Sequence, residues 1–178
     1  MSKVYLVVTA IGRDKRGTVK KITDVVVAHH ANIEESKMAR LGGEFAVIML
    51  LSLSDENQEK IMTGFEGLQT HGLIITCRAT DFSRLQKFIG YVPYEISVVG
   101  ADHEGIVNHI ARYLASEHIN IEEMDTTVTH APNTGTPLFA MSARVQAPPE
   151  LSLGQIRSKL ASVGEALDVD IDVKVPLG

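Results

Sequence analysis

A short loop motif that combines glycine with aspartate occurs twice and could bind an anionic group. The first copy, GRDKRG at residues 12–17, precedes an apolar helical pattern, and the second, GADHEG, stands at residues 100–105. The first turn of a helix presents unpaired backbone N–H groups, and together with the helix dipole they favour a carboxylate. The last glycine lets the backbone approach such a ligand, or simply permits a tight turn. The motif therefore predicts an anion-binding loop in two places.

An asparagine follows each loop motif at the same distance and could complete a site for a zwitterion. Asn32 and Asn120 each stand directly before an isoleucine and two glutamates. A carboxamide offers both a donor and an acceptor, which suits the carboxylate and the amine of an amino acid. Structural alternatives stay open for all these residues: aspartate as a helix cap, glycine as a turn former, asparagine as a left-handed turn residue and isoleucine as core.

The other groupings of reactive residues indicate structural roles and not catalytic ones. The spacing of Gly12 and Gly17 matches a phosphate-binding loop, but the Lys-Ser/Thr ending of such loops is missing. Glu34 and Glu35 would point to opposite faces of a strand, so they could not act as an acid–base pair. Cys77 lies in an apolar run typical of a core residue, and the seven histidines lack metal-ligand spacing. We predict no catalytic residue, no metal ion and no cofactor.

The composition predicts a globular, cytoplasmic protein. The chain has 178 residues, of which 44% are hydrophobic, and its apolar runs are shorter than the roughly 18–20 residues that span a bilayer. One cysteine excludes a disulfide framework. The net charge of −5 argues against a dedicated nucleic-acid binder. A basic cluster nevertheless follows the first strand, either as a solvated face or as an anion-attracting rim. Its members are Arg13, Lys15, Arg16, Lys20 and Lys21.

Both loop motifs belong to an internal repeat. Residues 12–38 align with residues 100–126 at an offset of 88, with 10 identities in 27 positions. The similarity resumes near Phe45 and Phe139 once about six extra residues are allowed in the turn-rich segment 130–137 of the second copy. We therefore predict two copies of one domain, at residues 1–88 and 89–178, with a short linker within Thr80–Pro93.

Each copy predicts the order strand, helix, strand, strand, helix, strand. Val4–Ala10 is a β-branched run that favours a buried central strand, and Asp14 is placed to cap the next helix. The βαββαβ order is typical of an α+β, ferredoxin-like fold, with an antiparallel four-stranded sheet and both helices on one face. The apolar stripe of the first helix is predicted as Val19, Ile22 and Val26, repeated as Val107, Ile110 and Leu114. Later elements of the first copy are predicted at Ile33–Leu41, Glu44–Leu53, Asp55–Gln69 and Leu73–Ala79, with a hairpin turn at Gly42-Gly43.

The repeated pattern Gly-x-Asp-x-x-Gly-x-Val, then a helix, then Asn-Ile, resembles the ACT domain family of amino-acid-binding regulatory modules. A tandem pair of this length is most similar to the glycine cleavage system transcriptional repressor group. The resemblance implies that small amino acids bind between paired ACT domains, at the loop and the start of the second strand. The ligand-binding residues that it implies are Asp14, Gly17, Asn32, Ile33, Asp102, Gly105, Asn120 and Ile121. We add His103, because a basic residue (Lys15 in the first copy) recurs at this loop position and could contact a carboxylate.

The leading hypothesis is a non-enzymatic regulatory protein that senses a small amino acid, with glycine or serine as first candidates. Ligand binding would shift the population that a DNA-binding transcription factor or another regulated protein recognises. Sheet edges favour a homo-oligomer, and neither a membrane nor direct nucleic-acid contact is expected. Three alternatives stay open. They are a ligand-free ACT pair that mediates assembly, a small enzyme using a cleft between the domains, and direct DNA binding by the basic cluster.

Overall fold

The computed structural model describes residues 2–81 and 89–176 and contains one antiparallel four-stranded sheet in each half of the chain. Contacts between Cα atoms divide the chain into unit 1, Met1–Leu85, and unit 2, Gln86–Gly178. The middle of the predicted linker, residues 82–88, lies outside the described residues. Within the described ranges, no helix has the length and apolar character needed to cross a membrane.

Both units have the same order of elements. Unit 1 consists of β1 (Lys3–Arg13), α1 (Thr18–Ala28), β2 (Asn32–Leu41), β3 (Glu44–Ser54), α2 (Gln58–Glu66) and β4 (Leu73–Thr80). Unit 2 consists of β5 (Val92–Ala101), α3 (Ile106–Ser116), β6 (Asn120–His130), β7 (Pro137–Ala147), α4 (Leu153–Leu167) and β8 (Val169–Lys174). The sheet orders are β2-β3-β1-β4 and β6-β7-β5-β8. The predicted α+β, ferredoxin-like arrangement is therefore confirmed in both halves.

Local sequence explains the turns that connect these strands. Gly42 and Gly43 have φ values of 58° and 84°, as a tight hairpin between β2 and β3 requires. The extra residues predicted in the second copy fall between β6 and β7, where Gly135 also has a positive φ. Ser152 caps α4 with a capping box, since its side chain accepts from the Gln155 N–H and the Gln155 side chain accepts from the Ser152 N–H.

Each unit has a separate hydrophobic core between its helices and one face of its sheet. In unit 1 this core includes Leu6, Val8, Ile22 and Phe65. β1 has the predicted central place in the sheet, but its burial alternates, and Ile11 is 48% exposed. Within the predicted run Val4–Ala10 the residues are alternately half-buried and buried, because among the described residues of unit 1 the helices cover only one face of this sheet.

The buried stripe of the first helix in each unit begins one residue earlier than predicted. Thr18 and Ile106 are buried at the first helical position, whereas Val19 is 49% exposed and Val107 is 36% exposed. Each helix begins directly after a left-handed glycine and packs with its first residue, and not with the valine that comes second, against the core. The other stripe members are buried as predicted: Ile22, Val26, Ile110 and Leu114.

The helix predicted over Asp55–Gln69 is shorter than expected. Only Gln58–Glu66 is α-helical, and 3-10 turns cover Asp55–Asn57 and Gly67–His71 on either side of it. Glycine at position 67 is a poor helix former, so the chain tightens there instead of continuing the α-helix. Ile61 and Phe65 are nevertheless fully buried, and Leu68 is half-buried against the same core.

Candidate functional site

The loop between the first strand and the first helix has the same backbone shape in both units. Gly17 and Gly105 are the residues before α1 and α3, with φ values of 84° and 95°. Neither helix has a side-chain cap in the described structure. The first intrahelical bonds run from Lys21 N–H to the Gly17 carbonyl and from His109 N–H to the Gly105 carbonyl. Each loop therefore presents an uncapped helix start, which is the feature expected of an anion-binding loop.

The aspartates of the motif do not cap these helices, contrary to the prediction. The Asp14 N–H donates to the Gly43 carbonyl, which holds this residue beside the β2–β3 hairpin and away from the first helical turn. Its carboxylate instead pairs with Arg40, at 3.2 Å from Nη1. The Asp102 N–H makes the matching bond to the Pro137 carbonyl at 3.0 Å. A helix cap is therefore excluded as the reason for these aspartates.

A hollow of about 570 Å³ lies beside the loop of unit 2. This volume falls within the range of about 300–1,000 Å³ that is typical of small-molecule sites. It brings together three of the predicted site residues with the first turns of α3 and one core aromatic residue. The lining residues are Asp102, His103, Gly105, Ile106, Val107, Asn108, Ala111 and Phe139. The hollow thus combines an uncapped helix start with apolar walls and polar groups.

His103 lies at the rim of this hollow with both ring nitrogens bonded. Nε2 lies 2.7 Å from the Leu167 carbonyl oxygen and Nδ1 lies 3.0 Å from the Glu104 carbonyl oxygen. These two acceptors raise the pKa of His103 above its ordinary value, because both favour the doubly protonated ring. The two carbonyl acceptors therefore favour the charged form of the imidazole, and with both ring nitrogens bonded to backbone oxygens it is not arranged to activate a hydroxyl or thiol nucleophile.

The predicted asparagine and isoleucine residues lie at the other end of each sheet. Asn32 pairs with Ser52, which pairs with Tyr5, and Arg13 at the loop end of β1 is eight residue steps further along from Tyr5. At about 3.3 Å per strand residue, this separation is roughly 26 Å. Asn120 has the same position in unit 2. A single unit therefore does not bring the loop and the asparagine to one small ligand.

The start of β2 contains a hydrogen-bond network that the sequence analysis did not foresee. The pairing of β2 with β3 shifts between Ile33 and Glu35, so Glu34 lies in a β-bulge. Its carboxylate accepts from the Ser52 hydroxyl at 2.5 Å and from Lys3 Nζ at 3.0 Å. Hydrogen bonds from Ser52, Lys3 and Asn32 lower the pKa of Glu34 to about 2. Asn32 therefore has a structural contact, and the left-handed φ predicted as an alternative for it belongs to His30 instead.

The same bulge recurs in unit 2 with different partners. The pairing of β6 with β7 shifts between Ile121 and Glu123, and the Glu122 carboxylate accepts from the Gln146 amide at 3.2 Å. Ile33 and Ile121 are partly buried against the cores of their units. The repeat of Asn-Ile-Glu-Glu in the sequence was the signal for this bulge, since one of the two glutamates lies outside the regular ladder in each copy.

The lone thiol and the possible metal ligands do not form a metal centre in the described ranges. Burial raises the pKa of the Cys77 thiol to about 11, and the side chain packs against the core of unit 1. A thiol in this state is a poor nucleophile. No group of three or more His, Cys, Asp or Glu residues among residues 2–81 and 89–176 could hold a metal ion.

Comparison with known proteins identifies the repeated unit. A family model for the ACT domain matches residues 4–78 and 95–174, which cover both sheets and all four helices of the described structure. The chain belongs to the ACT domain family. Its two ACT units are the two copies that the repeat in the sequence predicted.

Relatives of the chain include a named regulator. The glycine cleavage system transcriptional repressor of Escherichia coli (strain K12) is 33% identical over 134 residues, which are 74% of this chain and 69% of the relative. An unknown protein from Galdieria sulphuraria has a crystal structure that is 33% identical, with a TM-score of 0.87 over 99% of this chain and 100% of the other. The crystal structure of a proposed glycine cleavage system transcriptional repressor shares the fold, at 23% identity and a TM-score of 0.71 over 98% of each chain. The predicted homology to this repressor group is confirmed.

Proposed function

We propose that this chain is a non-enzymatic regulatory protein that binds a small amino acid and acts on transcription through a protein partner. The observation that carries the proposal is the uncapped helix start at the wall of the unit 2 hollow, behind left-handed Gly105. Its free N–H groups suit the ligand carboxylate, and the carboxylate of Asp102 in the same hollow suits the ligand ammonium group. Membership of the ACT family and the likeness to a transcriptional repressor supply the regulatory context.

The asparagine and isoleucine residues at the start of β2 and β6 are proposed to contact the ligand only when ACT units assemble. Because Asn120 and the loop of the same unit lie at opposite ends of the sheet, Asn120 can contact a ligand held by a loop only when another ACT unit supplies that loop. We propose that a homo-oligomer brings these ends together. The ligand then binds one assembled arrangement more tightly than another and so increases the population of that arrangement. A DNA-binding partner would recognise the more populated arrangement.

A thermal-shift panel against the common amino acids tests the proposal. A ligand at a hundred times its Kd should stabilise the protein by about 2.7 kcal/mol. We expect a selective rise in Tm with glycine, serine or another small amino acid. Ala111→Leu, which places a larger side chain in the unit 2 hollow, should remove this rise. Ala115→Leu, exposed on the same helix and outside the hollow lining, should keep it.

Two results would count against the amino-acid site. A flat panel would favour the ligand-free assembly module, and the protein partner should then be captured without any metabolite. A rise in Tm that Ala111→Leu leaves intact would move the ligand away from the unit 2 hollow. A double variant Asn32→Ala, Asn120→Ala then shows whether the opposite sheet ends contribute, with urea unfolding as a control for the Glu34 network.

A further inference from the structure

The loop of unit 1 borders a second cavity, whose character differs from that of the unit 2 hollow. This pocket of about 80 Å³ lies between the β1–α1 loop and the turn that leads into β4 at Gly72. Four cationic side chains line it: Arg13, Lys15, Arg16 and Lys21. The lining contains no aspartate or glutamate among the described residues, so the formal charge of the pocket wall is +4.

These cations lack partners in the described part of unit 1. Lys20, the fifth member of the basic cluster, points elsewhere and pairs with Asp24 at 2.7 Å. Arg40 neutralises Asp14 on the other side of the loop. No ion pair within the described ranges involves the four lining cations. All four side chains are exposed, so their charges are not neutralised within the protein and together attract an anion to the pocket.

Comparison with unit 2 shows that the pocket is not a general property of the fold. At the positions of Arg13, Lys15, Arg16 and Lys21, unit 2 has Ala101, His103, Glu104 and His109. His103 bonds the Leu167 carbonyl at 2.7 Å and so occupies the space beside the turn into β8. Gly72, which has a φ of 81° before β4, is matched by Asp168 before β8, with a φ of 52°. The hollow beside Asp168 is lined by Glu165, Asp168 and Asp170 and is therefore acidic.

The anchoring of the loop gives the cations a defined position. The buried Thr18 hydroxyl donates to the Lys15 carbonyl at 2.8 Å, and the Thr18 N–H donates to the same oxygen at 3.2 Å. Unit 2 has Ile106 at this position and cannot make the hydroxyl bond. The Lys15 peptide is thus fixed at the pocket mouth, directly before the uncapped start of α1.

We propose that this pocket of unit 1 binds the phosphoryl group of a small phosphorylated molecule. Several cations and a helix start together suit a multiply charged oxyanion, which one amino-acid carboxylate does not match. The pocket is far smaller than the about 300 Å³ at which ordinary small-molecule sites begin, so only one such group enters and the rest of the ligand lies outside. A single concave pocket on a chain of net charge −5 favours a small anion over a nucleic-acid backbone.

Isothermal titration of the full chain with inorganic phosphate, at constant ionic strength, tests the proposal. We expect one saturable site per chain, because unit 2 lacks the pocket. The double variant Lys15→Gln, Lys21→Gln should weaken binding at least tenfold. The double variant Lys20→Gln, Lys60→Gln removes the same charge from exposed positions outside the pocket and should change binding less than twofold. Adenosine 5′-monophosphate should compete with phosphate, whereas adenosine should not.

Any of three outcomes would contradict phosphoryl binding in the unit 1 pocket: the absence of saturable phosphate binding, equal weakening by both double variants, or a second equivalent site per chain. Fluorescence anisotropy with a short DNA duplex tests the alternative that the basic residues bind nucleic acid. Binding of DNA alone, lost in Lys15→Gln, Lys21→Gln and falling steeply with salt, would replace the phosphoryl site with a nucleic-acid surface. The inference does not depend on the proposed amino-acid function, and Ala111→Leu in unit 2 should leave phosphate binding unchanged.

Discussion

Individual side chains of the repeated motif have roles that differ between the two ACT units. The loop glycines serve the same purpose in both copies, since each adopts a left-handed φ before the first helix. The basic residue of the loop, however, has a different role in each copy. Lys15 lines an open cationic pocket, whereas His103 bonds two carbonyl oxygens. Identical motif positions therefore do not imply two identical sites.

Glu34 predicts an acid-dependent loss of stability in unit 1. Its pKa is about 2 in the folded protein, below the ordinary value of 4.5, so the carboxylate stabilises the fold above pH 4.5. This contribution disappears as the pH falls from about 4.5 to about 2. The difference in urea midpoint between the wild type and Glu34→Gln should shrink over the same window.

Ser52→Ala provides the second arm of this experiment. The Ser52 hydroxyl is the largest cause of the lowered pKa of Glu34, so its removal should raise that pKa and move the loss of stability to higher pH. The carboxyl resonance of Glu34 in an NMR titration reports the pKa directly. A midpoint near 4.5 in the wild-type protein would contradict the hydrogen-bond network.

At the scale of elements, one glycine near the end of β1 and one near the end of β5 allow a close approach of the chain at the start of β4 and β8. A Cβ added at Gly100 would lie 2.6 Å from Val169 Cγ1, and one added at Gly12 would lie 2.6 Å from the Gly72 carbonyl oxygen. Contacts this short require the neighbouring strand to move. These glycines thus determine how β4 and β8 meet the loop ends of the central strands.

Gly100→Ala is expected to destabilise unit 2 by about 1–3 kcal/mol, the usual cost of overpacking. Gly154→Ala is the matched control, because a Cβ there has no neighbour within 4 Å and alanine favours the helix. Urea unfolding followed by circular dichroism measures both variants. Equal stability of Gly100→Ala and the wild type would show that β8 can shift without cost.

On the scale of the whole molecule, the two ACT units have separate hydrophobic cores. Phe65 and Leu160 are fully buried, each in the core of its own unit, and no described residue belongs to both clusters. Among the described residues, the edge strands of the two sheets are β2 and β4 in unit 1 and β6 and β8 in unit 2. The homo-oligomer stays a prediction, and sedimentation velocity of the full chain checks it.

Separate cores predict separate effects of core substitutions. Phe65→Ala should cost about 3–5 kcal/mol and Leu160→Ala about 2–5 kcal/mol, because each leaves a cavity. Native-state hydrogen exchange should show faster exchange in β1 and β3 for the first variant, and in β5 and β7 for the second. Faster exchange in both units for either variant would show that the units unfold as one.

The sequence by itself determined the duplication, the order of elements, the turns and the family. These features depend on local patterns, namely the repeat of Gly-x-Asp-x-x-Gly, the apolar periodicities and the Gly42-Gly43 hairpin. Such patterns can be recognised without knowledge of the tertiary contacts. The ACT family and its fold follow from the same residues, and the structure and the comparisons confirm both.

Only the tertiary structure decided which of these residues meet. Asp14 contacts Arg40 at the far end of β2, and Asn32 lies roughly 26 Å away along the strands, because an antiparallel ladder reverses the chain direction. The burial of Thr18 in place of Val19 likewise depends on how α1 packs against the sheet. Spacing along the chain could not reveal these contacts, since they depend on register and on the packing of helices against the sheet.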